Sequence, residues 1–262
     1  MTLLDEIFAH KRTEVDLRKR ASPFQEVREL ARQAASPLDF IAALRGRQGL
    51  RPALIAEVKC ASPSRGLLAA EFDPLRLACL YQANGASAIS VLTDERYFKG
   101  SLEHLRQIAA LEPRIPLLRK DFILDPYQVY EARAAGADAI LLIAAYLDLS
   151  LLRDLHALSL DLGMAALVEV HTQEELDRIL AVPGLALVGI NNRDLRDFSI
   201  HLDTALRLRP LIPADVCVVA ESGIHTERDV ERLTSVQVDA ILVGEALVTA
   251  ADTASMVRRL AR

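Results

Sequence analysis

Cysteine is scarce in this 262-residue chain: the three present, Cys60, Cys79 and Cys217, are odd in number, far apart and in no CxxC or Cys/His spacing. That excludes a disulfide framework and a zinc site of familiar spacing, and it fits a reducing compartment. Long apolar runs are missing as well. The longest, Ala139 to Leu147, falls far short of the roughly 20 residues a membrane-crossing helix needs. Met1 to Arg20 is charged throughout and has no apolar stretch like that of a signal peptide, so the cytoplasm is the expected location. Positive charge is not in excess either. A net charge of -5 offers no general attraction to a polyanion, so neither nucleic acid nor a membrane surface is an expected partner. The basic residues His10, Lys11, Arg12, Arg18, Lys19 and Arg20 are interleaved with acids and read as a solvated helix face. No HExxH, GxGxxG or Walker-type loop occurs, so no metal and no organic cofactor is expected.

What is present is apolar residues in short blocks. With 51% hydrophobic and 26% charged residues the chain is globular, and its length suits one α/β domain with a large core. Eight runs are apolar almost without interruption, as strands covered on both faces require: Ala53 to Lys59, Ala86 to Leu92, Ile115 to Lys120, Ala137 to Ile143, Ala165 to Val170, Leu185 to Ile190, Val216 to Glu221 and Ala240 to Val243. Amphipathic helical patterns separate them, the signature of repeated β-α units around a parallel sheet. Three strand starts look like copies: Asn84-Gly-Ala-Ser-Ala-Ile, Ala135-Gly-Ala-Asp-Ala-Ile and, without the glycine, Val236-Gln-Val-Asp-Ala-Ile. Gly85 and Gly136 stand where a preceding helix must stop, in the left-handed conformation that glycine adopts without a Cβ penalty. Eight units of about 27 residues predict a closed (β/α)8 TIM barrel.

Residues 1–50 fall outside that count and read as a helical extension of the barrel at 51–262, within one structural domain. Thr2 is placed to cap a first helix carrying Leu3, Leu4, Ile7, Phe8 and Val15. Ser36 is placed to cap a second, with Pro37 at its first position and Leu38, Ile41 and Leu44 on one side. The extension either plugs apolar barrel surface or helps to hold a ligand.

Active sites of such barrels lie at the C-terminal ends of the strands, and here those ends are charged. The first ends Glu57-Val58-Lys59, and a spacing of two sets both charges on one side. The third ends Arg119-Lys120-Asp121, the fifth Glu169-Val170-His171, the sixth Asn191-Asn192-Arg193-Asp194 and the seventh Glu221-Ser222-Gly223. Opposite charges converging on a barrel mouth suit acid-base chemistry, with lysine as acid and glutamate as base. Ser222-Gly223 and Gly244-Glu245 follow the last two strands, with helix N-termini expected behind them, and so suit a phosphate. His171, His225 and Cys217 read as structural residues.

Seven stretches, in order and on different units, resemble the indole-3-glycerol phosphate synthase family: Glu57 to Gly66, Ser90 to Phe98, Leu118 to Ile123, Val168 to Val170, Gly189 to Leu195, Glu221 to Ile224 and Leu242 to Glu245. Two positions depart from it. Cys60 stands where the family usually carries a second basic residue, and Glu245 where some members have serine. The resemblance implies a decarboxylating ring closure of 1-(o-carboxyphenylamino)-1-deoxyribulose 5-phosphate to indole-3-glycerol phosphate, CO2 and water, in tryptophan biosynthesis. It implies that Lys120 protonates the ketone oxygen, and that Lys59 or Lys120 with Glu169 serve the later dehydration. Glu57 and Glu221 would hold the ammonium groups and the cationic intermediate, and Asn191 would position substrate. Lys59, Ser222, Gly223, Gly244 and Glu245 would surround the phosphate, while Ser62 and Arg193 would face the carboxylate. The loop from Cys60 to Pro74 would close over substrate. A Schiff-base aldolase, a sugar-phosphate isomerase and a non-catalytic phosphate-binding scaffold are the alternative readings. No protein partner is implied.

Overall fold

Strand and helix alternate beyond residue 51, and each strand pairs in parallel with the next along the chain until the last returns to the first. The strands are β1 (Ala53–Val58), β2 (Ala88–Leu92), β3 (Leu117–Lys120), β4 (Ala139–Ile143), β5 (Ala165–Val170), β6 (Leu187–Asn191), β7 (Cys217–Glu221) and β8 (Ala240–Val243). They form a closed barrel, sealed where Ala53 to Ala56 of β1 run beside Ala240 to Val243 of β8. This computed structural model describes residues 3–45, 51–63, 65–68, 72–194 and 199–261. The expected cap Thr2, Ser64 of the first family-like stretch and Leu195 of the fifth lie outside the described residues.

The strands are apolar on both faces because they serve two cores. Along β1, Leu54, Ala56 and Val58 turn outward to the core under the helices. Ala53 and Ile55 turn inward to the barrel axis, where they join Leu118, Leu141, Leu167, Val219 and Leu242. Alternation by two sorts one continuous run into both layers. Cys217 is one of the inward residues, consistent with its reading as structural.

The copied strand starts share a conformation. Gly85 and Gly136 have φ of 104° and 86°, and in the third copy Gln237 takes the same left-handed turn at 60° without glycine's freedom. Two copies also explain their aspartate. Asp138 accepts the Leu117 backbone N–H at 2.7 Å, and Asp239 accepts that of Val218 at 2.8 Å, each tying the start of the neighbouring strand.

The extension comprises α1 (Leu3–Ala21), α2 (Phe24–Gln33) and α3 (Phe40–Arg45). The last starts later than Ser36 and Pro37 suggested: Asp39 caps it, accepting the Ala42 N–H at 2.8 Å. Leu38, ahead of the helix, donates its N–H to Asp138 at 2.7 Å instead. Phe40 and Leu44 close the barrel floor against the first residues of the strands. On α1 the solvated-face reading holds for Arg12 and Arg20, which are exposed, and fails for Lys11, Arg18 and Lys19. Lys11 is 1% exposed and lies 2.9 Å from both Asp94 and Asp121 and 3.0 Å from Glu14. Arg18 reaches Glu131 at 3.0 Å and Lys19 reaches Asp125 at 2.6 Å. These three cations, interleaved with acids on one helix, find acidic partners on the barrel.

Candidate active site

The C-terminal ends of the strands open into a pocket lined by Glu57, Lys59, Lys120, Glu169, Asn191 and Arg193, with Ser62, Ser222, Gly223, Gly244 and Glu245 also at its wall. Of the residues to which the resemblance gives a role in the reaction or in binding, Glu221 alone lies off the pocket wall; it sits beneath, 1% exposed, and its carboxylate holds the Lys120 ammonium. Lys120 Nζ is 3.9 Å from Glu57 Oε2 and 3.9 Å from Glu169 Oε2. Lys59 Nζ is 3.3 Å from Glu57 Oε1, so the two-residue spacing at the end of β1 does place both charges together. One ammonium thus sits among three carboxylates drawn from β1, β5 and β7.

Burial disfavours a charged Lys120, yet Glu221, Glu57 and Glu169 together outweigh it and raise its pKa above the ordinary lysine value. Glu221 moves up from the ordinary carboxylate range, because burial and the negative charges of Glu169 and Glu57 outweigh the opposing effect of Lys120. Glu221 Oε1 has no hydrogen-bond partner among the described residues. Three carboxylates thus face two ammonium groups, an arrangement that suits a cationic intermediate.

Close backbone approach makes this packing possible. A Cβ on Gly189 of β6 would collide with Glu221 Oε1, and one on Gly244 would collide with the Glu57 carboxylate. Asn191 accepts the Arg193 backbone N–H at 3.0 Å, which fixes the turn out of β6. Asn192 donates to the Ser222 carbonyl at 3.0 Å and joins that turn to the one after β7.

At the phosphate-like end, Ser222 and Gly223 are consecutive left-handed residues with φ of 66° and 75°. Gly244 precedes a short helix, Glu245–Val248, whereas the helix after β7 starts only at Glu227 and uses its own Thr226–Asp229 capping box. A helix N-terminus therefore stands directly behind Gly244 but not behind Gly223. Glu245 pairs at 3.1 Å with Arg65, which lies on the hairpin of Ala61–Ser62 and Gly66–Leu67 that begins the long loop after β1.

Sequence reasoning left open whether the extension plugs the barrel or helps to hold a ligand, and it assigned no apolar residue to the pocket. Leu3, Leu4 and Ile7 of α1 line it with Phe98 and Phe122. Their signal is a helical apolar stripe, which does not say what the stripe covers. His171, read as structural, lies with Nε2 3.4 Å from Glu169 Oε1. Among the described residues no cluster of His, Cys, Asp or Glu is arranged to hold a metal ion.

The family model for indole-3-glycerol phosphate synthase matches residues 4–260. The chain belongs to that family. Among its relatives, the indole-3-glycerol phosphate synthase of Roseiflexus castenholzii is 53% identical over 266 residues, covering 99% of this chain and 98% of the relative. That of Chlorobium chlorochromatii is 47% identical, covering 98% and 99%. Among solved structures, 3-hexulose-6-phosphate synthase from Salmonella typhimurium superposes with a TM-score of 0.63 at 14% identity, over 80% of this chain and 96% of that one. The last likeness concerns the fold alone; the synthase family accounts for nearly the whole chain, including the strand ends that build the pocket.

Proposed function

We propose a division of labour for these residues in the reaction of the indole-3-glycerol phosphate synthase family. That reaction is the chain's function: it closes the ring of 1-(o-carboxyphenylamino)-1-deoxyribulose 5-phosphate with loss of CO2 and water, a step of tryptophan biosynthesis, acting on a small phosphorylated substrate. The observation that carries the assignment is the Lys120 ammonium held among Glu57, Glu169 and Glu221.

The aromatic carbon bearing the carboxylate attacks the ketone, whose oxygen takes a proton from Lys120. The cationic imine formed is stabilised by Glu57 and Glu221. Loss of CO2 restores the aromatic ring. Departure of the hydroxyl as water then takes a second proton, from Lys59 or Lys120, while Glu169 removes a proton from the ring carbon next to nitrogen. Asn191 positions the substrate between these groups. The Ser222–Gly223 turn, Gly244 and the N–H of Glu245, with Lys59, surround the phosphate; Ser62 and Arg193 face the carboxylate. The apolar wall of Leu3, Leu4, Ile7, Phe98 and Phe122 suits the aryl ring, which makes the 1–50 extension part of the binding site of a single-domain barrel spanning 51–262. Free Cys60, Cys79 and Cys217 suit a reducing cytoplasm. Among the described residues no helix is long and apolar enough to cross a membrane.

The test is indole fluorescence on mixing the protein with the carboxyphenylamino-deoxyribulose phosphate. Turnover is expected in the wild type, with kcat lowered about 10²–10⁴-fold in Lys120→Ala and in Glu169→Gln. A variant retaining full kcat loses its assigned role.

A further inference from the structure

Protons do not balance inside the pocket. Two are delivered to the departing oxygen, one at ring closure and one at dehydration, and only one is recovered from the ring carbon. The substrate carboxylate leaves as neutral CO2, so each turnover draws one proton from solvent. The lysine donors must therefore be recharged twice: once by the proton that Glu169 takes from the ring, and once from outside. Meanwhile the substrate occupies the barrel mouth, between Lys120 and bulk water.

A second route leads out behind Glu169. On its pocket side this carboxylate, 2% exposed, lies 3.9 Å from Lys120. On its other side Oε1 lies 3.4 Å from His171 Nε2, an ion-pair contact without hydrogen-bond alignment, so a small turn of the ring must precede transfer. His171 Nδ1 lies 3.3 Å from Glu175 Oε2, and the same carboxylate accepts the His171 backbone N–H at 2.7 Å. Glu175 stands in the first turn of the helix Gln173–Ile179 that follows β5, with its side chain 18% exposed. We propose that Glu175 and His171 form a proton inlet to the active site, through which an imidazolium recharges Lys120 by way of Glu169.

The step is a plain transfer. The Nε2 proton of the imidazolium passes to the Glu169 carboxylate and on to the Lys120 amine; the neutral ring keeps its Nδ1 proton, and a turn of the imidazole brings the vacated Nε2 toward Glu175, through which solvent returns the proton. No bond but N–H and O–H changes. The groups facing His171 favour the charged ring: Glu169 on its own strand, Glu175 on the following helix and Glu221 on β7, while the strands flanking β5 set uncharged Ile143 and Gly189 beside Glu169. Burial works against that charge, but the hydrogen bond to Glu175 and the three carboxylates prevail, and the imidazole pKa lies above its ordinary value. His171 touches no substrate in this scheme; it is a positioning and proton-supplying residue acting through Glu169, and the inference rests on the role proposed for Glu169.

The experiment measures steady-state kcat and KM against pH for wild type, His171→Gln, His171→Ala and Glu175→Gln. The wild-type rate is expected to fall as pH rises through the raised imidazole pKa. His171→Gln is expected to lose roughly tenfold in kcat at neutral pH with KM unchanged, and to lose that alkaline limb. Glu175→Gln, which keeps the Thr172 helix cap, is expected to move the limb to lower pH. Added imidazole is expected to restore His171→Ala in proportion to imidazolium concentration. An alkaline limb unaltered in His171→Gln, or a uniform loss at all pH without imidazole rescue, overturns the inlet. Absence of turnover in the wild type, or full activity in Glu169→Gln, defeats the underlying assignment instead, so the two failures are distinguishable.

Discussion

The smallest residue in the site sets its tightest tolerance. Gly189 lets Glu221 lie against β6, and through Glu221 it fixes where the Lys120 ammonium sits. Gly189→Ala would force the carboxylate aside, and a displacement of order 1 Å in a reacting group can lower rates about 10²-fold. The expected outcome is a loss of that size in kcat with the far-UV spectrum unchanged; a variant with normal kcat would show that Glu221 has room to give. Lys120, Glu169 and Glu57 were legible in the sequence, because a charge at the end of an apolar strand is conspicuous. The requirement for glycine at position 189 was not, because the partner that forbids a side chain stands on the next strand, beyond the reach of any local pattern. The partners of His171 were hidden for a similar reason: Glu169 and Glu175 flank it together, which its own position does not record.

Among the elements, α1 is the one whose sequence misleads. Alternating charge on an isolated helix signals a solvated face, yet Lys11 is enclosed by Asp94 after β2 and by Asp121 after β3. Asp121 also receives the Thr93 hydroxyl at 2.5 Å and Arg119 at 3.2 Å. Burial opposes ionisation of Asp121, but Lys11, Arg119 and the Thr93 hydrogen bond hold it well below the usual carboxylate range. The network therefore pins the turn immediately after Lys120. Lys11→Met removes one partner from a buried pair, and a loss of roughly 3–5 kcal/mol in urea unfolding is expected at neutral pH. The sign of the pH dependence follows from the depressed carboxylate. Its contribution is complete above the unfolded aspartate pKa of about 3.9 and fades as pH falls below it, so the gap between wild type and variant narrows in acid. By contrast Arg32→Ala, which breaks an exposed pair with Glu29, is expected to change stability by less than about 1 kcal/mol.

For the molecule as a whole, the barrel was the most legible feature. Eight apolar runs at regular spacing leave few architectures, and β5 and β8 match their expected spans while the others differ only at their ends. Strand ends depend on hydrogen bonds to a neighbour, which composition does not record: Ala86 and Ala137 fall in the turns before β2 and β4 rather than within them. Helix α2 left little trace, since its two buried residues, Val27 and Ala31, are too few for a stripe. The closed sheet also makes a prediction. A chain ending at residue 239 lacks β8 and leaves both β1 and β7 with an open edge. It is expected to show no cooperative urea transition, whereas a gradual loss of stability would indicate that the remaining strands form a self-sufficient sheet.

The pairing of β1 with β8 also orders events on the ribosome. The first barrel strand to be made must wait for the last, since its partner residues Ala240 to Val243 are translated only after the six strands between them. The lysine of α1 waits as well, until Asp121 has been made. At roughly 5–20 residues per second, β1 spends on the order of ten seconds or more with an exposed backbone edge. During that interval the nascent chain is a natural client for chaperones, and the seam of the barrel is the surface they would have to shield.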